Sequence, residues 1–173
     1  ILEIVKEREA IGYSFDTAQA SFELLARREL GALPPFFEVK RYRVMVERRK
    51  NKYNKLVSLS EAVVVVKVDG EKKLSASESM DEIGSDRGPV NALSKALTKD
   101  LGSYQNLIDD IKLVDFKVRI TQGGTEAMTR VVIDSEDKNG VRWSTVGVSP
   151  NIVDASFEAL LDAINWKLVR DTS

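Results

Sequence analysis

An internal repeat constrains this chain more than any other feature of its sequence. Residues 90–97 read Val-Asn-Ala-Leu-Ser-Lys-Ala-Leu, and residues 153–160 read Val-Asp-Ala-Ser-Phe-Glu-Ala-Leu, so four residues recur at the same spacing. Upstream of each copy, residues 42–46 and 116–120 both place apolar side chains at every second position. Two copies are too few for a solenoid, which needs about three or more repeats. The repeat therefore predicts two similar units related by pseudo-twofold symmetry, with a seam between them where a ligand can bind.

Each copy predicts three strands followed by a helix. The predicted strands are 36–46, 62–68 and 74–79 in the first copy and 113–122, 128–135 and 141–148 in the second. The predicted helices are 90–101 and 150–169, each with a proline near its first turn. Asp69-Gly70 and Gly123-Gly124 are predicted hairpin turns, 48–55 a basic connection and 81–87 a mobile acidic loop. Antiparallel sheets packed by helices are an α+β solution, so the predicted fold class is α+β with two βββα units.

The first 35 residues have a different, helical pattern. Helices are predicted over 1–11 and 17–30, the second with Asp16 as N-cap, Gly31 as C-terminal stop and a buried face that includes Phe22. Pro34-Pro35 then forces an extended break. The sequence predicts a helical linker piece over 1–35 and a larger domain over 36–173, with repeat units at 36–102 and 112–170.

The composition excludes several classes of function. The chain has no Cys and no His among its 173 residues, which removes disulfides, thiolate nucleophiles, imidazole bases and the usual zinc sites. Its 26 basic and 27 acidic side chains nearly balance, so no overall field favours nucleic acid. We expect no membrane span and no signal peptide, because charged residues interrupt the apolar segments, and we expect a cytoplasmic location.

The two predicted helix starts, 88–91 and 149–152, are the strongest candidate binding features. Free N–H groups and the helix dipole at such an end attract a carboxylate. The apolar side chains that could line a pocket beside them are Leu113, Phe116, Ile120 and Ile152. Together these features suit a small hydrophobic amino acid. Two alternatives stay open: proline at a first turn merely starts a helix that a side chain caps, and alternating apolar residues in a strand belong to an ordinary core.

Several segments resemble one known family. They are 12–15 with 20–25, then 88–93, 113–119, 143–149 and 151–156. They resemble the C-terminal regulatory domain of the 2-isopropylmalate synthase family over nearly the whole chain, and the segment 12–25 favours its citramalate synthase branch.

The resemblance implies a function for the parent protein and for this part of it. Members of the family carry a catalytic barrel that condenses acetyl-CoA with a 2-oxo acid by means of a divalent metal, followed by a helical linker and a dimerising regulatory domain of two βββα units. In the citramalate synthase branch the 2-oxo acid is pyruvate and the feedback inhibitor is usually isoleucine. The barrel lies outside this chain, which is therefore expected to be a non-catalytic homodimeric effector-binding domain without cofactors of its own.

The resemblance also assigns effector-contacting positions. They are Val90, Leu113, Phe116, Ile120, Ala127, Pro150 and Ile152. Phe116 stands where relatives often carry Tyr. The alternatives are a leucine-binding domain of the isopropylmalate branch and a purely structural dimerisation module that binds no effector.

Overall fold

A computed structural model describes residues 1–82, 88–123 and 126–173 and contains two three-stranded antiparallel sheets. The helices are α1 (Leu2–Ala10), α2 (Gln19–Glu29), α3 (Gly88–Leu97), α4 (Gln105–Ile108) and α5 (Ile152–Thr172), with a 3-10 turn at Gly102–Tyr104. The strands are β1 (Glu38–Lys50), β2 (Leu56–Val68), β3 (Glu71–Glu82), β4 (Lys112–Gly123), β5 (Glu126–Glu136) and β6 (Arg142–Ser149). The order βββα thus occurs twice, which confirms the predicted α+β class.

The chain forms two compact units. Pro35–Gln105 is called the first unit, and Ile1–Pro34 together with Asn106–Ser173 is called the second unit. The N-terminal helices therefore pack with the second repeat. The assignment of 1–35 to a linker and of 36–173 to a regulatory domain stays a prediction.

In the first unit, α3 lies against β2 and β3. The buried side chains of β2 on this side are Ala62, Val64, Val66 and Val68, and those of α3 are Val90, Ala92, Leu93, Ala96 and Leu97. The Asp69-Gly70 turn has both residues at positive φ, 53° and 79°, as a tight hairpin turn requires. The Asp69 carboxylate then accepts hydrogen bonds from the Ser103 N–H and hydroxyl, both at 2.7 Å.

In the second unit, α5 lies over β6 and β5. The helix presents small residues to the sheet: Ala155, Ala159 and Ala163 are all buried. Thr145 and Trp143 donate side-chain hydrogen bonds to the carbonyls of Ala159 and Ala163, at 2.7 and 3.1 Å. Gly147 permits this close approach, because a Cβ there would overlap the carbonyl of Ala155.

The N-terminal helices cover the other face and one edge of this sheet. Tyr13, Phe15, Ala18 and Leu25 form a buried cluster with Val146 and Val148. The Ser21 hydroxyl accepts a hydrogen bond from the Val146 N–H at 2.9 Å and donates one to Asp162 at 2.8 Å. Because β6 is an edge strand, helix α2 satisfies backbone groups that would otherwise be left open.

The strand pairing supports the predicted repeat. Both first strands carry an irregularity at the same point, between Val39 and Arg41 in β1 and between Leu113 and Asp115 in β4. The paired residues after the irregularity also correspond: Tyr42 faces Val64, and Phe116 faces Ile133. The repeat is therefore preserved in register as well as in sequence.

Several boundaries differ from the sequence predictions. Asp16 does not cap α2, whose N-cap is Ala18, because the Asp16 carboxylate accepts from Ser14 Oγ instead. Phe22 is 42% exposed, whereas Leu24 is buried, since the contact with α5 and β6 selects a rotated face of α2. Residues 48–50 and 81–82 extend strands, because each finds a backbone partner in β2. Helix α3 ends at Leu97, four residues before the predicted end at 101. The remaining predicted loop, 83–87, and the turn residue Gly124 lie outside the described residues.

Candidate effector-binding surface

Strand β4 presents an apolar surface on the side of its sheet that faces α5. Phe116 pairs with Ile133 and Leu113 with Ser135, and both partners are fully buried on the α5 side. The irregularity after Leu113 keeps Leu113 on the same side as Phe116, although their spacing is odd. Val118 and Ile120 continue this row.

Helix α5 leaves this row largely uncovered within the second unit. It packs mainly on β6 and β5. Ile120 is 75% exposed and Val118 is 39% exposed, while Phe116 and Leu113 are half-buried. A contiguous exposed apolar row is a feature that marks a ligand or partner site. We call Leu113, Phe116, Val118 and Ile120 the β4 apolar row.

Four of the assigned positions lie at one corner of the second unit. The end of β4, the start of β5 and the end of β6 lie at the same end of the sheet, because neighbouring strands are antiparallel. Ile120 pairs with Thr129, and Thr129 pairs with Ser149, which directly precedes Pro150. Ala127, Pro150 and Ile152 therefore lie near the end of β4 that carries Ile120, and all three are exposed. Their grouping is a property of the topology.

The other assigned positions are not part of this corner. Phe116 lies at the middle of β4, and Leu113 lies at its far end, about 20 Å from Ile120 at the rise of an extended strand. Val90 belongs to the first unit, where it is 7% exposed on α3. The participation of Val90 in one site with the others stays a prediction.

The start of α5 is capped by a side chain, as the alternative for this helix start predicts. The Asn151 side chain accepts hydrogen bonds from the N–H groups of Val153 at 2.8 Å and Asp154 at 3.4 Å. An exposed asparagine is a strong N-cap, because its carbonyl oxygen reaches the donors of the first turn. A carboxylate at this end would have to compete with Asn151.

Beyond its first turn, α5 carries carboxylates that tie it to the N-terminal helices. Tyr13 donates to Glu158, while Asp162 accepts from Ser21 and from Arg28. Burial raises the pKa of both carboxyl groups, against the lowering effect of these hydrogen bonds. Ile152, at the corner described above, and the two carboxylates that contact the N-terminal segment therefore belong to the same continuous helix.

Sequence reasoning overlooked two of these features. Val118 was detectable, since it falls between Phe116 and Ile120 in the same alternating pattern. The roles of Glu158 and Asp162 were not, because their partners are distant in the sequence.

The described residues contain no candidate metal centre. Over 1–82, 88–123 and 126–173, no three acidic side chains come together in a way that could hold a metal ion. In the same ranges no helix is long and apolar enough to cross a membrane.

The two sheets have equivalent strand pairing, and a helix packs on each of them. This arrangement defines a domain of two βββα units. The chain belongs to the LeuA allosteric (dimerisation) domain family, whose model matches residues 16–168. This membership confirms the resemblance and supports homodimer formation.

Full-length relatives place the domain among biosynthetic synthases. It is 46% identical over 170 residues to an (R)-citramalate synthase of Geobacter sulfurreducens, covering 97% of this chain and 30% of that protein. It is 38% identical over 173 residues to the (R)-citramalate synthase of Aquifex aeolicus, covering 99% and 31%. A 2-isopropylmalate synthase of Clostridium kluyveri is 33% identical over 150 residues, covering 87% and 25%. The chain thus spans about a third of the length of these curated relatives or less.

Proposed function

We propose that this chain is the feedback-regulatory domain of a citramalate synthase and that it binds isoleucine at the β4 apolar row and the start of α5. The parent protein would form citramalate from acetyl-CoA and pyruvate in the cytoplasm, with a divalent metal in a catalytic barrel outside this chain. Effector binding would act by shifting the conformational equilibrium of a dimer.

The exposed apolar row of β4 is the observation that carries this proposal. Ile120 and Val118 are exposed on the side of the sheet where Ile133 and Val131 of the adjacent strand β5 are fully buried. Covering them with an aliphatic ligand would remove apolar area from water, worth about 25 cal/mol for each Å². The identity of 46% with a citramalate synthase favours isoleucine over leucine as that ligand.

The ligand's charged end is assigned to the first turn of α5. In this proposal the effector carboxylate displaces the Asn151 side chain from the N–H groups of Val153 and Asp154. Charge-assisted hydrogen bonds from a helix N-terminus are stronger than those to a neutral amide. The aliphatic side chain then extends along Ile152 toward Ile120.

The experiment is calorimetric titration of the 173-residue chain with L-isoleucine, L-leucine and D-isoleucine. The test variant is Ile120→Glu, and the matched control is Val46→Glu. Val46 occupies the equivalent position of β1 and is 51% exposed. Both changes place one carboxylate on an exposed strand, so neither should unfold its sheet.

We expect saturable binding of L-isoleucine, at least about tenfold weaker in Ile120→Glu and within about twofold of wild type in Val46→Glu. Sedimentation of all three proteins should show unchanged oligomeric state. Absence of heat with isoleucine and leucine at millimolar concentration, from folded protein, would overturn the proposal. An equal loss of isoleucine affinity in Ile120→Glu and Val46→Glu would overturn the assignment of the binding site to the second unit.

A structural dimerisation module is the second candidate. The first unit exposes large apolar side chains of its own: Met45 is 58% exposed and Leu74 is 61% exposed. Such residues suit a surface covered by another chain. If this alone were the function, Met45→Glu would dissociate the dimer and no amino acid would bind.

A further inference from the structure

A basic cavity lies on the opposite side of the second unit's sheet from the β4 apolar row. It has a volume of about 370 Å³, and its charged lining residues are Lys117, Arg119, Arg130 and Asp134. Ser14 and Thr17, from the segment before α2, and Ser144 of β6 add hydroxyl groups to the lining. Three cations against one carboxylate leave this lining positive.

The two arginines are placed directly opposite each other. Arg119 of β4 pairs with Arg130 of β5 in the antiparallel register, so their side chains leave the sheet side by side. Like charges in directly opposed positions destabilise a sheet. Neither guanidinium forms an ion pair with any carboxylate of the described residues.

Arg130 is held in place by the N-terminal segment. Its Nε donates to the carbonyl oxygen of Gly12, which leaves the outer edge of the guanidinium free to face the cavity. Gly12 has a φ of 121°, and a Cβ there would lie 2.7 Å from Thr121 Oγ1. Glycine is therefore needed for the chain to approach the sheet closely enough to orient Arg130.

The nearby carboxylates are already engaged. Asp134 accepts from Ser144 Oγ at 2.6 Å, and Asp115 forms an ion pair with Lys117 at 3.4 Å. Asp16 accepts from Ser14 Oγ at 2.6 Å, and this hydrogen bond is the main cause of its lowered pKa, with Arg130 contributing least. These three carboxylates reduce the positive potential of the cavity, but none of them forms an ion pair with either arginine.

We propose that this cavity binds a small phosphate-bearing anion, which bridges Arg119 and Arg130 and accepts a further contact from Lys117. Two guanidinium groups offer paired donors in the geometry that phosphate oxygens prefer. A bound dianion also removes the repulsion between the opposed arginines. This site is separate from the proposed effector surface and does not depend on it.

The experiment is titration of the 173-residue chain with inorganic phosphate, ADP and citrate at low ionic strength, followed by calorimetry and by thermal unfolding. The test variants are Arg119→Gln and Arg130→Gln. The matched control is Arg142→Gln, which removes an equal charge from an exposed position of β6. Isoleucine titration of each variant shows that the proposed effector surface is intact and reports on it independently.

We expect saturable phosphate binding by the wild type, at least about tenfold weaker in each test variant and within about twofold in Arg142→Gln. Phosphate should raise the melting temperature of the wild type and not that of Arg119→Gln. Without phosphate, Arg119→Gln should melt at or above the wild-type temperature, because the like-charge pair is gone. If the wild type binds ADP more tightly than inorganic phosphate, the ligand is assigned as a nucleotide. If the two affinities are equal, the ligand is assigned as free phosphate.

Three outcomes would overturn the proposal. The first is no saturable binding of phosphate or ADP by folded wild-type protein. The second is equal weakening in all three variants, which would indicate diffuse electrostatic attraction. The third is binding of citrate without phosphate, which would exclude the proposed ligand class.

Discussion

The two βββα units share a backbone plan and differ in what covers their sheets. Their first strands bend at equivalent points and pair in equivalent register. However, α3 has 10 residues and α5 has 21, and the second unit includes additional helices, α1 and α2, that pack with its sheet. The second unit also buries charged side chains, namely Asp137, Asp162 and Lys167.

This difference teaches that duplication preserved strand pairing more strictly than helix packing. Register is fixed by backbone hydrogen bonds, and a slip by one residue would turn a whole apolar face outward. The distance between a helix and a sheet depends on single side chains. Ser77 of β3 and Gly147 of β6 occupy equivalent register positions, and a Cβ at Gly147 would overlap the backbone of α5.

The largest test of this comparison is Gly147→Ala. The new methyl group would overlap the Ala155 carbonyl oxygen and lie 2.8 Å from its carbon, so α5 must move as a body. We expect a loss of about 4 kcal/mol in the free energy of unfolding, or no soluble protein. The control Ser77→Ala should cost less than about 1 kcal/mol. Urea denaturation measures both, and similar small effects at the two positions would contradict the close-packing account.

The second test compares the aspartates of the two β-hairpins. The Asp137 side chain is fully buried and accepts hydrogen bonds from the N–H groups of Asn139 and Val141. It also forms ion pairs with Arg170 and Lys167. Asp137→Asn leaves the buried Lys167 and the half-buried Arg170 short of one negative partner, so we expect a loss of about 3 kcal/mol in the free energy of unfolding. The control Asp69→Asn changes an exposed carboxylate and should lower the melting temperature much less.

The same pair of variants predicts a pH dependence. Burial tends to raise the pKa of Asp137, but its hydrogen bonds from Arg170 and the backbone outweigh this and hold the pKa at about 2. Because the folded pKa lies below the unfolded value, this carboxylate stabilises the fold above about pH 4, and the contribution is lost as the pH falls toward 2. The difference in melting temperature between wild type and Asp137→Asn should therefore shrink from pH 7 to pH 2. A constant difference would mean that the charge of Asp137 is irrelevant.

The third test concerns the outer edges of the two sheets. Ser21→Ala removes the acceptor of the Val146 N–H and a donor to Asp162, both buried, and we expect a loss of about 2 kcal/mol. At the equivalent edge of the first unit, the carbonyl of Ala76 accepts from the exposed Lys99 at 2.9 Å. Lys99→Ala should cost no more than about 0.5 kcal/mol, because water can replace its amine. Thermal unfolding of both variants distinguishes a sheet edge sealed by α2 from one that is merely solvated.

The smallest expected effect is at the start of α5. Asn151→Gly installs the residue that the first repeat carries at the equivalent position, Gly88. Glycine is an acceptable N-cap, so stability should fall by only about a few tenths of a kcal/mol. If the effector carboxylate competes with the Asn151 side chain, isoleucine should bind about threefold more tightly. Weaker binding would instead make Asn151 a direct contact of the effector.

The sequence predicted much of the fold because its signals were local or repeated. Alternation located both sheets, and the Asp69-Gly70 dipeptide located a turn that the structure contains. Alternation could not set the ends of the strands, since residues 48–50 are charged and extend β1 only because β2 is present to pair with them. At the candidate site, the corner of Ile120, Ala127, Pro150 and Ile152 follows from strand order. The uncovered row of β4 does not, because it depends on where α5 lies.

The sequence by itself determined the repeat, the α+β class, the turn chemistry and the family. These follow from patterns of a few residues and from the backbone's own preferences for pairing. Only the tertiary structure decided that the N-terminal helices pack with the second repeat, that Phe22 faces water, and that Arg119 and Arg130 stand opposed above a cavity. Such relations join residues far apart in the chain, and their free energy exists only once packing brings those residues together.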